Sequence, residues 1–248
     1  MAVLISIIIP TYNNLENLKN CIVSIQNQEF ENYEVWVIDN ASSDGTPAYL
    51  QSLKEPFYWR SAPDKGVYDA MNKGIALARG EWLYFLGADD MLFDTTILAN
   101  IFSKPIATDI KMIIGKIKYN IKKNDVVYTN NKNGIVSSSW SKKLWIKNSL
   151  HHQGVFYKKE LFLQRNFSLQ YKILADYALN LQLYKMKVKV KAVDNIIALC
   201  STGGLSKNYN WALYKEEIKL KTTESSIVLK PLFMMIGYTK YLLKKTVL

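Results

Sequence analysis

Leu4-Ile5-Ser6-Ile7-Ile8-Ile9 is an almost unbroken apolar, largely β-branched run. Such a run marks a strand buried on both faces, as in a parallel sheet covered by helices. The chain then alternates. Leu15, Leu18, Ile22 and Ile25 recur at helical spacing, and Asn13 with Glu16 three residues on has the spacing of a capping box. Glu34-Val35-Trp36-Val37-Ile38 is a second strand closing on Asp39, after which Asp44-Gly45 reads as a turn. Thr46-Pro47 opens a helix, with a hydroxyl cap and proline at the first helical position. Phe57-Tyr58-Trp59 is a short third strand. Val67, Met71, Ile75 and Ala78 mark a helix face that Gly80 stops, and Glu81–Leu86 is a fourth strand leading into Gly87-Ala88-Asp89-Asp90. This order predicts an α/β fold with a mostly parallel central sheet flanked by helices. Beyond residue 100 the pattern loosens. Strands are expected at Met112-Ile113-Ile114, at Val126-Val127-Tyr128 after the turn Lys122–Asp125, at Gly154–Tyr157 and at Val188–Leu199, with a helix from Asp176 through Leu183.

Composition narrows the function classes. With 248 residues and 49% hydrophobic content, the chain is large enough for a core without metal or disulfide staples, and it is not a disordered scaffold. Two cysteines, Cys21 and Cys200, rule out a disulfide framework or a four-cysteine zinc site and suit a reduced, cytoplasmic protein. The first residues lack a basic region and Pro10 ends their apolar run, so no signal peptide is expected. No segment reaches the ~18 uncharged apolar residues of a membrane span. The net charge of +11 is divided unevenly: −7 over residues 1–100 and +18 over 101–248. A basic second half suits phosphates, leaving nucleic acid or an anionic membrane open at this point.

In a parallel α/β sheet, ligands bind beyond the carboxyl ends of the strands. The residues selected are Pro10-Thr11-Tyr12-Asn13, Asp39, Asp64-Lys65-Gly66, and Ala88-Asp89-Asp90. The first turn lacks G-x-G-x-x-G, which disfavours a dinucleotide dehydrogenase. An acid ending the second strand can accept from ribose hydroxyls or a base N–H. Carboxylates from three strand ends repel one another unless a cation neutralises them. Adjacent aspartates suit a hard divalent ion, Mg²⁺ or Mn²⁺, shared with diphosphate oxygens.

Three stretches closely resemble the family 2 glycosyltransferases: Ser6–Asn13, Val37–Thr46 and Gly80–Asp90. Asp64–Gly74 resembles a bacterial subgroup that builds surface polysaccharides. The resemblance implies a GT-A (Rossmann-like) fold and inverting transfer of a single sugar from a nucleotide sugar, usually a UDP-sugar. It implies nucleotide contacts by Asp39 and Asp64, and a D-x-D metal and diphosphate motif over positions 87–89. The chain departs there, with Gly87 in place of the first aspartate, leaving Asp89 and Asp90 for the metal. The general base maps onto Asp176, where Ala175 replaces the glutamate that often precedes it in relatives. His152-Gln153-Gly154 resembles a segment near the acceptor and diphosphate, and Thr202–Lys207 one that closes over the donor. His151 and His152, if extended, point to opposite faces, so at most one faces a cleft.

The resemblance divides the chain into a transferase domain over 1–205, with a nucleotide-binding half 1–100 and an acceptor half 101–205. An amphipathic helical tail then spans 206–248. Within the tail, Leu232, Phe233, Met235, Ile236, Tyr238 and Leu242-Leu243 occur with Lys230, Lys240, Lys244 and Lys245, which suits either an anionic membrane face or a core-packing or oligomer helix. The absence of Q-x-x-R-W favours single addition over polymerisation. The acceptor implied is a glycan or a polyprenyl-diphosphate-linked sugar, met in the cytoplasm or at the inner face of the plasma membrane. Rival readings are a sugar nucleotidyltransferase, an inactive family member and a basic binding module. The first lacks its Gly-rich basic loop after strand one, and no nucleic-acid motif supports the last.

Overall fold

The computed structural model describes residues 3–121, 133–204 and 210–245. The expected alternation is present as β1 (Ile5–Thr11), α1 (Leu15–Gln26), β2 (Tyr33–Asp39), α2 (Thr46–Ser52), β3 (Phe57–Ser61), α3 (Val67–Leu77) and β4 (Trp82–Phe85). Then follow β5 (Met91–Leu92), α4 (Ile97–Phe102), β6 (Met112–Tyr119), β7 (Ile135–Ser137), β8 (Val155–Lys158), α5 (Ala175–Lys185), β9 (Val190–Cys200), α6 (Trp211–Glu224) and α7 (Lys230–Lys245). One sheet runs in the order β3-β2-β1-β4-β8-β6-β9-β5, with β7 paired to β6. β1, β2, β3 and β4 are mutually parallel. Past β4 the sheet is mixed: β8 lies antiparallel between β4 and β6, and β9 returns parallel to β6.

The β-branched strands sort their side chains by parity. Ile5, Ile7 and Ile9 pack with Val35, Val37, Trp82 and Tyr84 under α1, α2 and α4. Ile8, Ile38, Leu83 and Phe85 face the other way, under α3, α5 and α6. A one-residue slip would exchange the faces, so burial fixes the register. Each of these fully buried Ile or Leu side chains contributes about 1.5–3 kcal/mol.

Two helix starts differ from the sequence expectation for one reason. Asn13 is left-handed (φ 45°) and makes no capping box; α1 starts at Leu15. Its cap comes from Asp44, whose Oδ2 accepts from the Leu15 N–H at 2.9 Å. Glu16 pairs instead with Lys19. Thr46 lies inside α2, and Gly45, at φ 88°, is the N-cap residue. The Thr46 hydroxyl and N–H both donate to Asp44 Oδ1, at 2.6 and 3.2 Å. Asp44 therefore caps two helices at once and is more than part of a turn. The expected strand Val126-Val127-Tyr128 and its turn lie outside the described residues, as does the Leu205–Lys207 part of the expected donor-covering loop.

Candidate functional site

A cleft of about 910 Å³ opens at the carboxyl ends of β1 and β4. The loops after β1 and β2 are laced together beside it. The Asn13 N–H donates to Ser42 Oγ at 2.7 Å, and the Ser43 N–H donates to Asn13 Oδ1 at 2.8 Å. At the centre of the lacing is Asp39, which is fully buried. Its carboxylate accepts from the Ser42 N–H at 3.1 Å and from the hydroxyls of Ser42 and Ser61 at 2.5 and 2.6 Å. After β3, the Asp64 N–H donates to Asn40 Oδ1 and Asp64 Oδ1 accepts from the Gly66 N–H, both at 2.7 Å. Burial raises the Asp64 carboxyl above the usual range. Gly66 sits at φ 113°, a conformation that favours glycine. The Lys65 N–H donates to Asp69 Oδ2 at 3.0 Å.

Past β4, Asp89 is exposed on the cleft wall and Asp90 is buried. Asp90 Oδ2 accepts from Gln153 Nε2 at 2.8 Å and Oδ1 from the Ser201 N–H at 2.9 Å. The Ser201 hydroxyl donates to Asp89 Oδ2. Burial, reinforced by the Asp89 charge, pushes the Asp90 carboxyl up to about 6. A Cβ at Gly87 would lie 2.6 Å from Asp90 Oδ2 and 3.0 Å from Asp89 Oδ1, so the two carboxylates occupy the space that a side chain at 87 would need. The pair fits a divalent cation. A cation relieves the repulsion, hard oxygens are its preferred donors, and one or two carboxylates plus substrate phosphates suffice for Mg²⁺. The free coordinating capacity lies at Asp89 Oδ1, because Asp89 Oδ2 accepts from the Ser201 hydroxyl and the oxygens of Asp90 accept from Gln153 and the Ser201 N–H. Among the described residues no group of three or more His, Cys, Asp or Glu could hold a metal without such help.

Asp176 faces the same cleft from the first turn of α5. Its Oδ1 accepts from the Tyr177 N–H at 2.8 Å and, at 3.0 Å, shares the Tyr68 hydroxyl proton with the Ile173 carbonyl, which lies at 2.7 Å. Its Oδ2 lies 3.3 Å from His152 Nδ1. The loop leading into α5 is held from α6, where Glu216 accepts from the backbone N–H groups of Lys172, Ile173 and Leu174 at 2.7–3.0 Å. On the same side the buried Glu217 accepts from Lys221 and Lys240, each at 2.5 Å. Desolvation lowers the Lys221 ammonium to about 8.

Of the residues expected from sequence, Pro10, Thr11, Tyr12, Ala88, Asp89, Asp90, His152 and Asp176 share the cleft wall. Asp39, Asp64, Lys65 and Gly66 occupy the adjoining strand ends, where Asp39 is paired in register with Thr11 and Ser61. One expectation about the histidines is corrected: both line the cleft. The segment is not extended there but enters a 3₁₀ turn at His152, so the two rings no longer alternate. His151 sits against Tyr119, with its Nδ1 3.4 Å from the Tyr119 hydroxyl. Tyr68, Gln153, Ser201 and Glu216 were missed. Tyr68 and Gln153 lay inside motifs already singled out; nothing local marks Ser201 or Glu216.

The profile of the family described as "Glycosyl transferase family 2" matches residues 6–174. A "PGL/p-HBAD biosynthesis glycosyltransferase" of Mycobacterium bovis is 31% identical over 230 residues, covering 88% of this chain and 84% of that protein. An uncharacterised glycosyltransferase of Mycobacterium tuberculosis is 39% identical over 97 residues, 38% of this chain and 37% of that one. In three dimensions, S. aureus TarS 1–349 with UDP-GlcNAc superposes with TM-score 0.70 at 18% identity, over 95% of this chain and 70% of that fragment. A Pyrobaculum calidifontis mannosyltransferase with GDP-Man and Mn²⁺ gives TM-score 0.61 at 16% identity, over 96% and 70%. Against a longer TarS structure, this chain spans 42% of the other protein. The mixed α/β architecture is that of these GT-A neighbours.

Proposed function

The chain belongs to glycosyl transferase family 2, and from that premise we propose an inverting, metal-dependent transferase that moves one sugar from a UDP-sugar to a glycan or polyprenyl-diphosphate-linked acceptor. The product would be a bacterial surface polysaccharide, assembled in the cytoplasm at the inner face of the plasma membrane. The observation that carries this reading is that Asp89 and Asp176, far apart in the chain, face one cleft whose wall includes Pro10-Thr11-Tyr12. The buried Thr11 hydroxyl there has no hydrogen-bond partner among the described residues, an opening for a donor oxygen. Asp39 at the end of β2 and Asp64 in the loop after β3 are the residues we assign to the nucleotide, with Lys65 and Gly66.

Asp176 would act as general base. Its Oδ1 is engaged by Tyr68 and Tyr177, so the remaining lone pair of Oδ2, which lies 3.3 Å from His152 Nδ1, would take the proton of the acceptor hydroxyl as that oxygen attacks the anomeric carbon. Such proton transfer typically contributes 10²–10⁴-fold. One displacement from the face opposite the leaving diphosphate inverts the centre. Asp89, with Asp90 beside it, would hold Mn²⁺ or Mg²⁺, which when bound neutralises charge developing on the diphosphate. His152 lies next to the base and orients it.

The test is incubation with radiolabelled UDP-sugars and Mn²⁺. Donor hydrolysis or transfer is expected, and loss of both in Asp89→Ala/Asp90→Ala. Asp176→Asn should keep UDP binding and lose turnover; undiminished turnover in that variant removes Asp176 as the base.

A further inference from the structure

Exposed apolar surface is concentrated at one place. Of the 18 large apolar side chains exposed among the described residues, nine lie between Ile227 and Leu243. The two sides of α7 explain this. Phe233 and Gly237 are buried against α6, where a Cβ on Gly237 would come within 2.9 Å of Ile218 Cδ1. Met235, Tyr238 and Leu242, at i, i+3 and i+7, share the opposite side and are exposed by 62, 55 and 43%. Beside α7 lies Ile146, 57% exposed, whose carbonyl accepts from Lys240 Nζ.

The charge at this place has one sign. Residues 225–248 carry four lysines and no Asp or Glu. The 3₁₀ turn preceding Ile146 and its flank add Lys142, Lys143 and Lys147, all exposed. None of Lys142, Lys143, Lys147, Lys230 and Lys245 forms an ion pair among the described residues. A second copy of the chain docked by the same face would set lysines against lysines, with no Asp or Glu on the 225–248 segment to answer them. An anionic bilayer offers both an apolar phase and a negative surface. No helix among the described residues is long and apolar enough to span it.

We propose that the face formed by Ile227–Leu229 and α7 docks on an anionic phospholipid surface. The helix lies in the interface plane with Met235, Tyr238 and Leu242 at the acyl boundary and the flanking lysines at the phosphates. On the other side of the helix, Lys240 and Lys244 line the cleft. Docking therefore brings the cleft to within about one helix diameter, roughly 10 Å, of the bilayer. The transferase reading is needed only to say what the cleft would meet there; docking is measured without turnover.

The experiment is co-sedimentation of the full chain with phosphatidylcholine vesicles, with and without phosphatidylglycerol. Light scattering of the vesicle-free protein accompanies it. At least about tenfold stronger partition to the anionic vesicles is expected, weakened by salt. Met235→Glu/Leu242→Glu should lower that partition about tenfold or more while donor hydrolysis in solution is retained. Should that variant melt early, Lys142→Ser/Lys230→Ser/Lys245→Ser carries the test and should lose the preference for phosphatidylglycerol. Equal partition to both vesicle types overturns the proposal. So does a concentration-dependent dimer that Leu242→Glu dissolves. Vesicle binding without donor hydrolysis would leave docking standing and remove the transferase reading; the reverse result would do the opposite.

Discussion

The two sides of the cleft, which we assign to the donor and to the acceptor, are built by different means. On the donor side, the ends of β1, β2 and β3 are laced to one another by short polar side chains from the first 70 residues, and the buried Asp39 ties them. On the acceptor side, Asp176 owes its position to residues scattered along the chain. Tyr68 comes from α3, His152 from the turn before β8, and Glu216 from α6. The first arrangement follows almost automatically from the sheet, because adjacent parallel strands end at adjacent places. The second exists only once the whole molecule is folded. A change on the acceptor side should therefore alter turnover with little effect on donor binding, and a change in the donor-side lacing should register first as stability.

The largest expected effect tests the acceptor side directly. Asp176→Asn should lower kcat by about 10²–10⁴-fold, while calorimetry shows UDP affinity changed less than about twofold; a parallel loss of affinity would mean the two sides are not separable. Next is the proton on Asp90. A carboxyl raised to about 6 when folded contributes stability that is complete below pH 3.8 and is lost as pH rises through about 6. The stability difference between wild type and Asp90→Asn, from urea unfolding without metal, should therefore shrink by on the order of 2 kcal/mol from pH 4 to 7. A flat difference would show that Asp90 feels neither burial nor Asp89. Tyr68→Phe removes one hydrogen bond to the Asp176 carboxylate and should cost about tenfold in kcat with KM for the donor unchanged. Smallest is Asp44→Ala, which uncaps α1 and α2 at once. A fall of roughly 2–4 °C in melting temperature is expected, with kcat retained.

What the sequence disclosed follows the same division. β1, β2 and β4 were readable because strands buried on both faces need continuous apolar runs, and the ends of β2 and β4 pointed to Asp39, Asp89 and Asp90, as the end of the short β3 did to Asp64. Resemblance, not periodicity, pointed to Asp176. The pairing of Gln153 and Ser201 with Asp90 was unreadable because the partners lie 63 and 111 residues apart, and no local pattern encodes such a pairing. Asn13 misled for a related reason. Its spacing to Glu16 was right for a capping box, but Asp44 reached the Leu15 N–H from another loop. The histidine pair was misjudged because a 3₁₀ turn replaces the two-residue alternation of an extended segment.

Gly87 is where this chain departs from the aspartate-x-aspartate pattern, and its surroundings fix what a reversal would do. Asp placed at 87 would crowd the two acids already there. Its Cβ would press on Asp90 Oδ2, the free end of a side chain, and so load the anchors to Gln153 and Ser201 that join this strand end to β8 and β9. A side chain at 87 and the Asp90 carboxylate thus draw on the same space, so a substitution at either position repacks the other.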